Sequence, residues 1–220
     1  MLLPTIVVYA AVSQGAAAAV PTGDGGVTPV TQLPVSHLYR GGLVVGLELG
    51  GGIGGASGYP NNSSDIGNPA DYSASGFMFG TYESIFVMGA FSDYVSFGFQ
   101  FGHNLFRNPD FYSNGDGVGF RLEGFPLVGL FPRLQGLGVL AQFGLGTGDL
   151  VSRPPNLPEA EGTQSYVGAG VFHEWTVNLT HSGGAHLGIG PSLQYDAIFS
   201  RPFESHGLLA SLRLVLYTAR

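Results

Sequence analysis

Seven polar side chains fall at alternate positions among glycines, serines and apolar residues: Glu48, Arg121, Glu123, Gln142, Glu174, Gln194 and Arg213. Three carboxylates, two guanidiniums and two amides on one set of faces allow two kinds of chemistry. One is a structural network, in which Arg121 and Arg213 balance Glu48, Glu123 and Glu174, since a buried charge without a partner is very costly. The other is a gated path for protons or ions. The network is the reading adopted here. Replacing Arg213 by methionine separates the two, because it destabilises a network but changes the conductance of a path.

Other reactive residue types are less organised. His181 and His186 bracket a glycine-rich turn, and His103 and His206 lie near loop bases; no spacing forces them to converge on a metal. Glu204, Ser205 and His206 are consecutive, and consecutive residues of an extended chain alternate sides, which suits a catalytic relay poorly. Asp65, Asp71, Asp110, Asp116, Asp149, Glu159 and Glu161 sit in polar segments without calcium-loop spacing and read as solvated acids. Gly-x-Gly patterns recur in extended segments but open no helix, so phosphate binding is unsupported. No metal or other cofactor is implied.

The elements that must position these residues are strands. Val95-Ser96-Phe97-Gly98-Phe99-Gln100-Phe101-Gly102 and Leu137 to Gly146 alternate large apolar residues with glycine, serine or glutamine. A period of two marks a strand with two different faces. Here the second face carries few charges, which fits a crowded polar barrel interior behind an outer surface turned to lipid.

Composition agrees. The chain has 220 residues, 37 glycines, 16 phenylalanines and 10 tyrosines, with only 10% charged residues. Its formal net charge is −7, all eight cations are arginine, and there is no cysteine. An acidic chain without basic clusters argues against nucleic acid. Beyond the N-terminus no apolar run of about 18 residues exists, which excludes a helical membrane protein and leaves a closed barrel as the way to cross a bilayer. The soluble alternative, a β-sandwich, needs a charged solvated face.

Residues 1–19 read as a signal peptide: Leu2 to Val12 are apolar and Ala16 to Ala19 supply small residues for cleavage. No Lys or Arg precedes Arg40, so the usual basic start is missing, as a start codon assigned too far downstream would produce. Residues 20–41, with Pro21, Pro29 and Pro34, read as an extended linker.

Residues 42–217 divide into eight strands: Gly42 to Ile53, a segment within Gly76 to Phe91, Tyr94 to His103, Val118 to Leu127, Gly136 to Gly146, Gln164 to Val177, Ala185 to Asp196 and Gly207 to Tyr217. In the second strand Phe77 and Phe79 share parity with Thr81 and Glu83, which suggests a bulge or a slip in register; Pro191 suggests a bulge in the seventh. The intervening segments alternate long and short. The long ones are Gly54 to Ser75, Asn104 to Gly117, Thr147 to Thr163 and Ala197 to His206, which predicts four long external loops. An even count of antiparallel neighbours allows closure without an edge. The predicted fold is therefore all-β, an eight-stranded antiparallel up-and-down transmembrane β-barrel.

With that pattern, and with phrases such as Phe91-Ser92-Asp93-Tyr94-Val95-Ser96-Phe97-Gly98, residues 42–217 resemble the small eight-stranded outer-membrane barrels of Gram-negative bacteria, the superfamily of the outer membrane protein A transmembrane domain. The resemblance implies a monomer in the outer membrane, in contact with its lipids and inserted by the barrel assembly machinery. It implies a role in envelope structure or in presenting loops to an extracellular partner; a narrow porin-like channel and a lipid-modifying enzyme are the alternatives. One departure concerns the end of the last strand. Such barrels end on an aromatic residue, but Tyr217 shares parity with the inward positions. Either that strand is read one residue out or the terminal signal is degenerate.

Overall fold

A computed structural model describes residues 40–153, 158–179 and 185–218, and only the backbone of Gln164. The predicted signal peptide, nearly all of the linker and the turn at His181–Gly184 lie outside the described residues. Eight long strands form one antiparallel sheet: β1 (Gly42–Gly58), β2 (Met78–Ser92), β3 (Val95–Arg107), β4 (Phe111–Gly124), β5 (Leu137–Ser152), β6 in two segments (Ala160–His173 and Trp175–Asn178), β7 (Ala185–Phe199) and β8 (Phe203–Thr218). Each pairs with the next, and β8 pairs with both β7 and β1, so the sheet closes. Closure removes the edges that an open sheet would expose. Below, the end bearing the strand termini Gly42 and Thr218 is called proximal and the opposite end distal.

Strand alternation sorts the side chains as the sequence predicts. Every strand carries large apolar residues outward, among them Leu43, Val87, Phe99, Val118, Leu145, Val171, Leu193 and Leu212, all exposed. On β3–β5 the rings of Phe99, Phe120 and Phe143 form a band, with centroids 4.8 and 5.4 Å apart. This band ends at a polar row of cross-strand partners, Glu83, His103, Asp116, Thr147 and Thr163. In that row His103 Nδ1 lies 2.8 Å from Asp116 Oδ1.

The connections correct the prediction of four long loops. Only residues 59–77 form a long distal loop; the other distal connections are residues 153–159 and the tight turns at residues 108–110 and 200–202. Asn108 explains one of these turns. Its Oδ1 accepts from the backbone of Asp110 and Phe111 at 2.9 and 2.7 Å, so the side chain itself closes the bend. The longest described proximal connection, residues 125–136, is likewise not minimal, so connection lengths do not alternate. The sheet runs on past the apolar band. There Asn114, Asp116 and Asp149 point outward in strand parity while carrying turn-like composition.

Both predicted bulges are also corrected. Gly42–Gly54 pairs with Met78–Ala90 in unbroken register, and the irregularity of β2 lies at Ala90/Ser92 beside the turn. Thr81 and Glu83 are simply polar outward residues. Across from Pro191, Phe172 pairs with Ser192 and Trp175 with Ile189, which is one register with no inserted residue. The ladder is only interrupted, as expected where proline lacks an N–H.

Candidate functional site

The lumen is layered along its axis. At the proximal end Val44, Phe86, Met88, Ala90, Val215 and Tyr217 pack together, beside a second cluster of Phe125, Leu140 and Phe172. At the distal end Met78, Tyr82, Phe106, Phe111, Leu150 and Phe203 are part of one buried cluster. The polar side chains singled out in the sequence lie between these apolar ends.

Five of the seven form one cluster: Glu48 from β1, Arg121 and Glu123 from β4, Glu174 from the break in β6 and Arg213 from β8. All five side chains have zero accessibility. Arg121 donates from Nη2 to Glu48 Oε1 at 2.6 Å and from Nε to Glu123 Oε1 at 2.6 Å. Arg213 donates from Nη2 to Glu123 Oε2 at 2.6 Å, from Nη1 to Glu48 Oε1 at 3.2 Å and from Nε to Glu174 Oε1 at 2.5 Å. Planar guanidiniums suit such multiple pairing, because their donors are fixed in a fork.

Aromatic rings complete the cage. Arg121 lies over Phe86 at 4.2 Å and Arg213 over Phe172 at 4.2 Å. The glycines opposite these rings make the room. A Cβ on Gly46 would fall 2.0 Å from the Phe86 ring, and one on Gly138 would fall 2.2 Å from the Phe172 ring.

Gln142 and Gln194 lie in a separate layer. Gln142 Nε2 donates to Gln194 Oε1 at 3.1 Å. Gln142 Oε1 accepts from Gln100 at 2.5 Å and also touches the Tyr166 hydroxyl. That hydroxyl accepts from Gln100 at 3.0 Å and donates to Asp196 Oδ2 at 2.9 Å. Gln100 joins the layers, because its Oε1 accepts from Arg121 Nη1 at 3.0 Å.

Sequence reasoning left Gln100, Tyr166, Asp196 and Tyr217 out of its set of interior polar residues, although it put Gln100 on the interior face and Tyr217 at inward parity. Three of them were signalled. Gln100 alternates with Gly98 and Gly102, Tyr166 shares parity with Gly168 and Gly170, and Asp196 extends the series Ser192, Gln194. Tyr217 resolves the question about the last strand. It points inward, is 1% exposed and donates to Glu174 Oε2 at 2.6 Å, so the strand is in register. Arg40, assigned to the linker, is buried at the proximal mouth. Its guanidinium lies 3.5 Å over Phe125, its Nη2 donates to the Gln135 carbonyl and its backbone N–H donates to Asp93.

At the distal rim Glu204 and His206 face outward while Ser205 faces inward and is buried, so these three residues do not converge. Glu204 Oε1 instead accepts from Ser57 Oγ at 3.1 Å, and His206 Nδ1 lies 2.5 Å from the Tyr195 hydroxyl. Among the described residues no group of three or more His, Asp or Glu side chains is arranged to hold a metal ion.

No family model and no curated protein matches this chain. Solved structures do. The attachment invasion locus protein Ail of Yersinia pestis aligns over 80% of this chain and 99% of its own, at 10% identity and a TM-score of 0.47. The N-terminal β-barrel domain of OprF from Pseudomonas aeruginosa aligns over 79% and 99%, at 11% identity and a TM-score of 0.40. The outer membrane protein OprG of the same organism aligns over 81% and 96%, at 8% identity and a TM-score of 0.31. These are small outer-membrane barrels, and the likeness is one of fold.

Proposed function

We propose that this protein is a structural barrel of the bacterial outer membrane, exported by its N-terminal signal peptide and inserted as a monomer by the barrel assembly machinery. Its lumen passes no solute, it performs no catalysis, and its distal hairpins are presented to an extracellular partner.

Two observations support this reading. Outward apolar residues occur on all eight strands, a belt that water would penalise by about 25 cal/mol for each Å² of apolar surface left exposed. Such a surface is at rest only in hydrocarbon, where closure also satisfies the backbone. The observation that carries the structural role is the filled lumen. The cluster of Glu48, Arg121, Glu123, Glu174 and Arg213 has zero accessibility, with apolar packing at both ends. A conducting path would have to break several charge-assisted hydrogen bonds at once.

Two measurements test the reading. In the first, the outer-membrane fraction is run on a detergent gel with and without boiling, and a folded barrel shifts on heating. Recovery of the chain in the soluble fraction after osmotic shock would overturn membrane placement. In the second, planar bilayers containing the purified protein are expected to stay silent; discrete conductance steps would overturn the sealed lumen and favour a channel.

A further inference from the structure

A groove of about 460 Å³ lies on the outside of the barrel near its distal end. This falls within the range of about 300–1,000 Å³ typical of small-molecule sites. Ile53, Leu208, Tyr195, Tyr72 and Phe77 line it, together with Gly55, whose missing side chain makes room for the Gly76 carbonyl. Phe77 is 83% exposed, so its ring has almost no protein neighbour to cover it. On β8 the successive outward residues Leu212, Ala210 and Leu208 carry the apolar surface into the groove, where Ile53 is flanked by Leu208 and by Phe79 on β2.

We propose that this groove holds one acyl chain of a lipid whose headgroup carries an amine and a phosphate. The inference rests on the membrane reading above. A concave apolar surface continuous with a lipid-facing belt is filled by the medium of that layer. Water would gain few hydrogen bonds among glycine, isoleucine, leucine and aromatic rings.

The polar pairs at its distal margin make the groove a site and not just a dent in the belt. Glu204 accepts from Ser57 and keeps further acceptor capacity for an ammonium. In the tautomer in which His206 Nδ1 accepts from the Tyr195 hydroxyl, the ring proton sits on Nε2 and can be donated to a phosphate. Glu204 and His206 are same-face neighbours on β8, about 7 Å apart along the strand. An acceptor for the amine and a donor for the phosphate thus stand side by side above the slot for the chain.

The test uses the full chain folded in detergent, with native mass spectrometry in the presence of phosphatidylethanolamine or phosphatidylglycerol. Heat-modifiable migration is checked for every variant. One phosphatidylethanolamine should stay bound. Ala74→Trp, which fills the groove from its wall, should lower retention about tenfold, the equivalent of about two buried methylenes. Ala141→Trp, on the outer face of β5 away from the groove, should change nothing. Glu204→Gln combined with His206→Phe should bring phosphatidylethanolamine retention down to that of phosphatidylglycerol. Equal retention of both lipids by the unmodified chain, or undiminished retention by Ala74→Trp, overturns the proposal. A chain that shows heat-modifiable migration but keeps no lipid refutes the groove alone, whereas a chain that does not shift refutes the membrane reading itself.

Discussion

In the charged layer of the lumen every carboxylate oxygen of Glu48, Glu123 and Glu174 accepts a hydrogen bond, and every nitrogen of the Arg121 and Arg213 guanidiniums donates one. In the adjoining layer of Gln100, Gln142, Tyr166, Gln194 and Asp196 this does not hold. Asp196 Oδ1 and Gln194 Nε2 are buried with no partner among the described residues. Both layers are polar and equally remote from bulk water. The difference teaches that a buried charge network is over-determined, with each group bound to several others. A layer of mostly neutral groups tolerates loose ends, because an unpaired neutral group such as the Gln194 amide N–H costs only about 1–3 kcal/mol.

The sharpest way to break the comparison is Arg213→Met. It leaves three carboxylates facing Arg121 alone and should cost about 3–5 kcal/mol, the penalty for an uncompensated buried charge. The check is the urea midpoint of the barrel reconstituted in vesicles. An unchanged midpoint would show that the cluster contributes nothing to stability. Tyr217→Phe removes a single hydrogen bond to a carboxylate and should cost about 1.5–3 kcal/mol in the same assay. Gly46→Ala drives a methyl group into the Phe86 ring that supports both arginines, with an expected loss of about 1–3 kcal/mol from overpacking. The smallest effect is expected from Asp196→Asn. The amide oxygen can still accept from Tyr166 while the extra negative charge is gone, so stability should stay within about 1 kcal/mol or rise. A loss as large as that of Arg213→Met would mean that the two layers form one unit.

The sequence reveals the faces of this barrel better than its ends. Glu48, Arg121, Glu123, Glu174 and Arg213 could be placed inward because their neighbours in sequence are large, apolar and outward; Phe120 and Leu122 frame Arg121 in this way. That contrast exists only where the outer surface meets hydrocarbon. From the polar row at Glu83 and His103 onward, β4 and β5 carry Asn114, Asp116 and Asp149 outward and Phe111 and Leu150 inward, so the apolar-out alternation that marks these strands is lost and the segment reads as a loop. The tight turn at residues 108–110 was hidden for this reason. The convergence of residues was hidden for another. Parity tells which way Tyr166 or Tyr217 points, but not that Tyr166 from β6 meets Gln100 from β3, or that Tyr217 meets Glu174. Those meetings depend on closure across the lumen, which no local pattern encodes.

Arg213 is contributed by the final strand, yet it bonds partners on the first, fourth and sixth. A nascent sheet lacking that strand holds three carboxylates against a single arginine, and a seam closed one residue out of step would point Arg213 at lipid. The same residue that fills the lumen therefore makes correct closing of the seam the step at which the charges are balanced. A seam closed out of register leaves the charges of the lumen unbalanced.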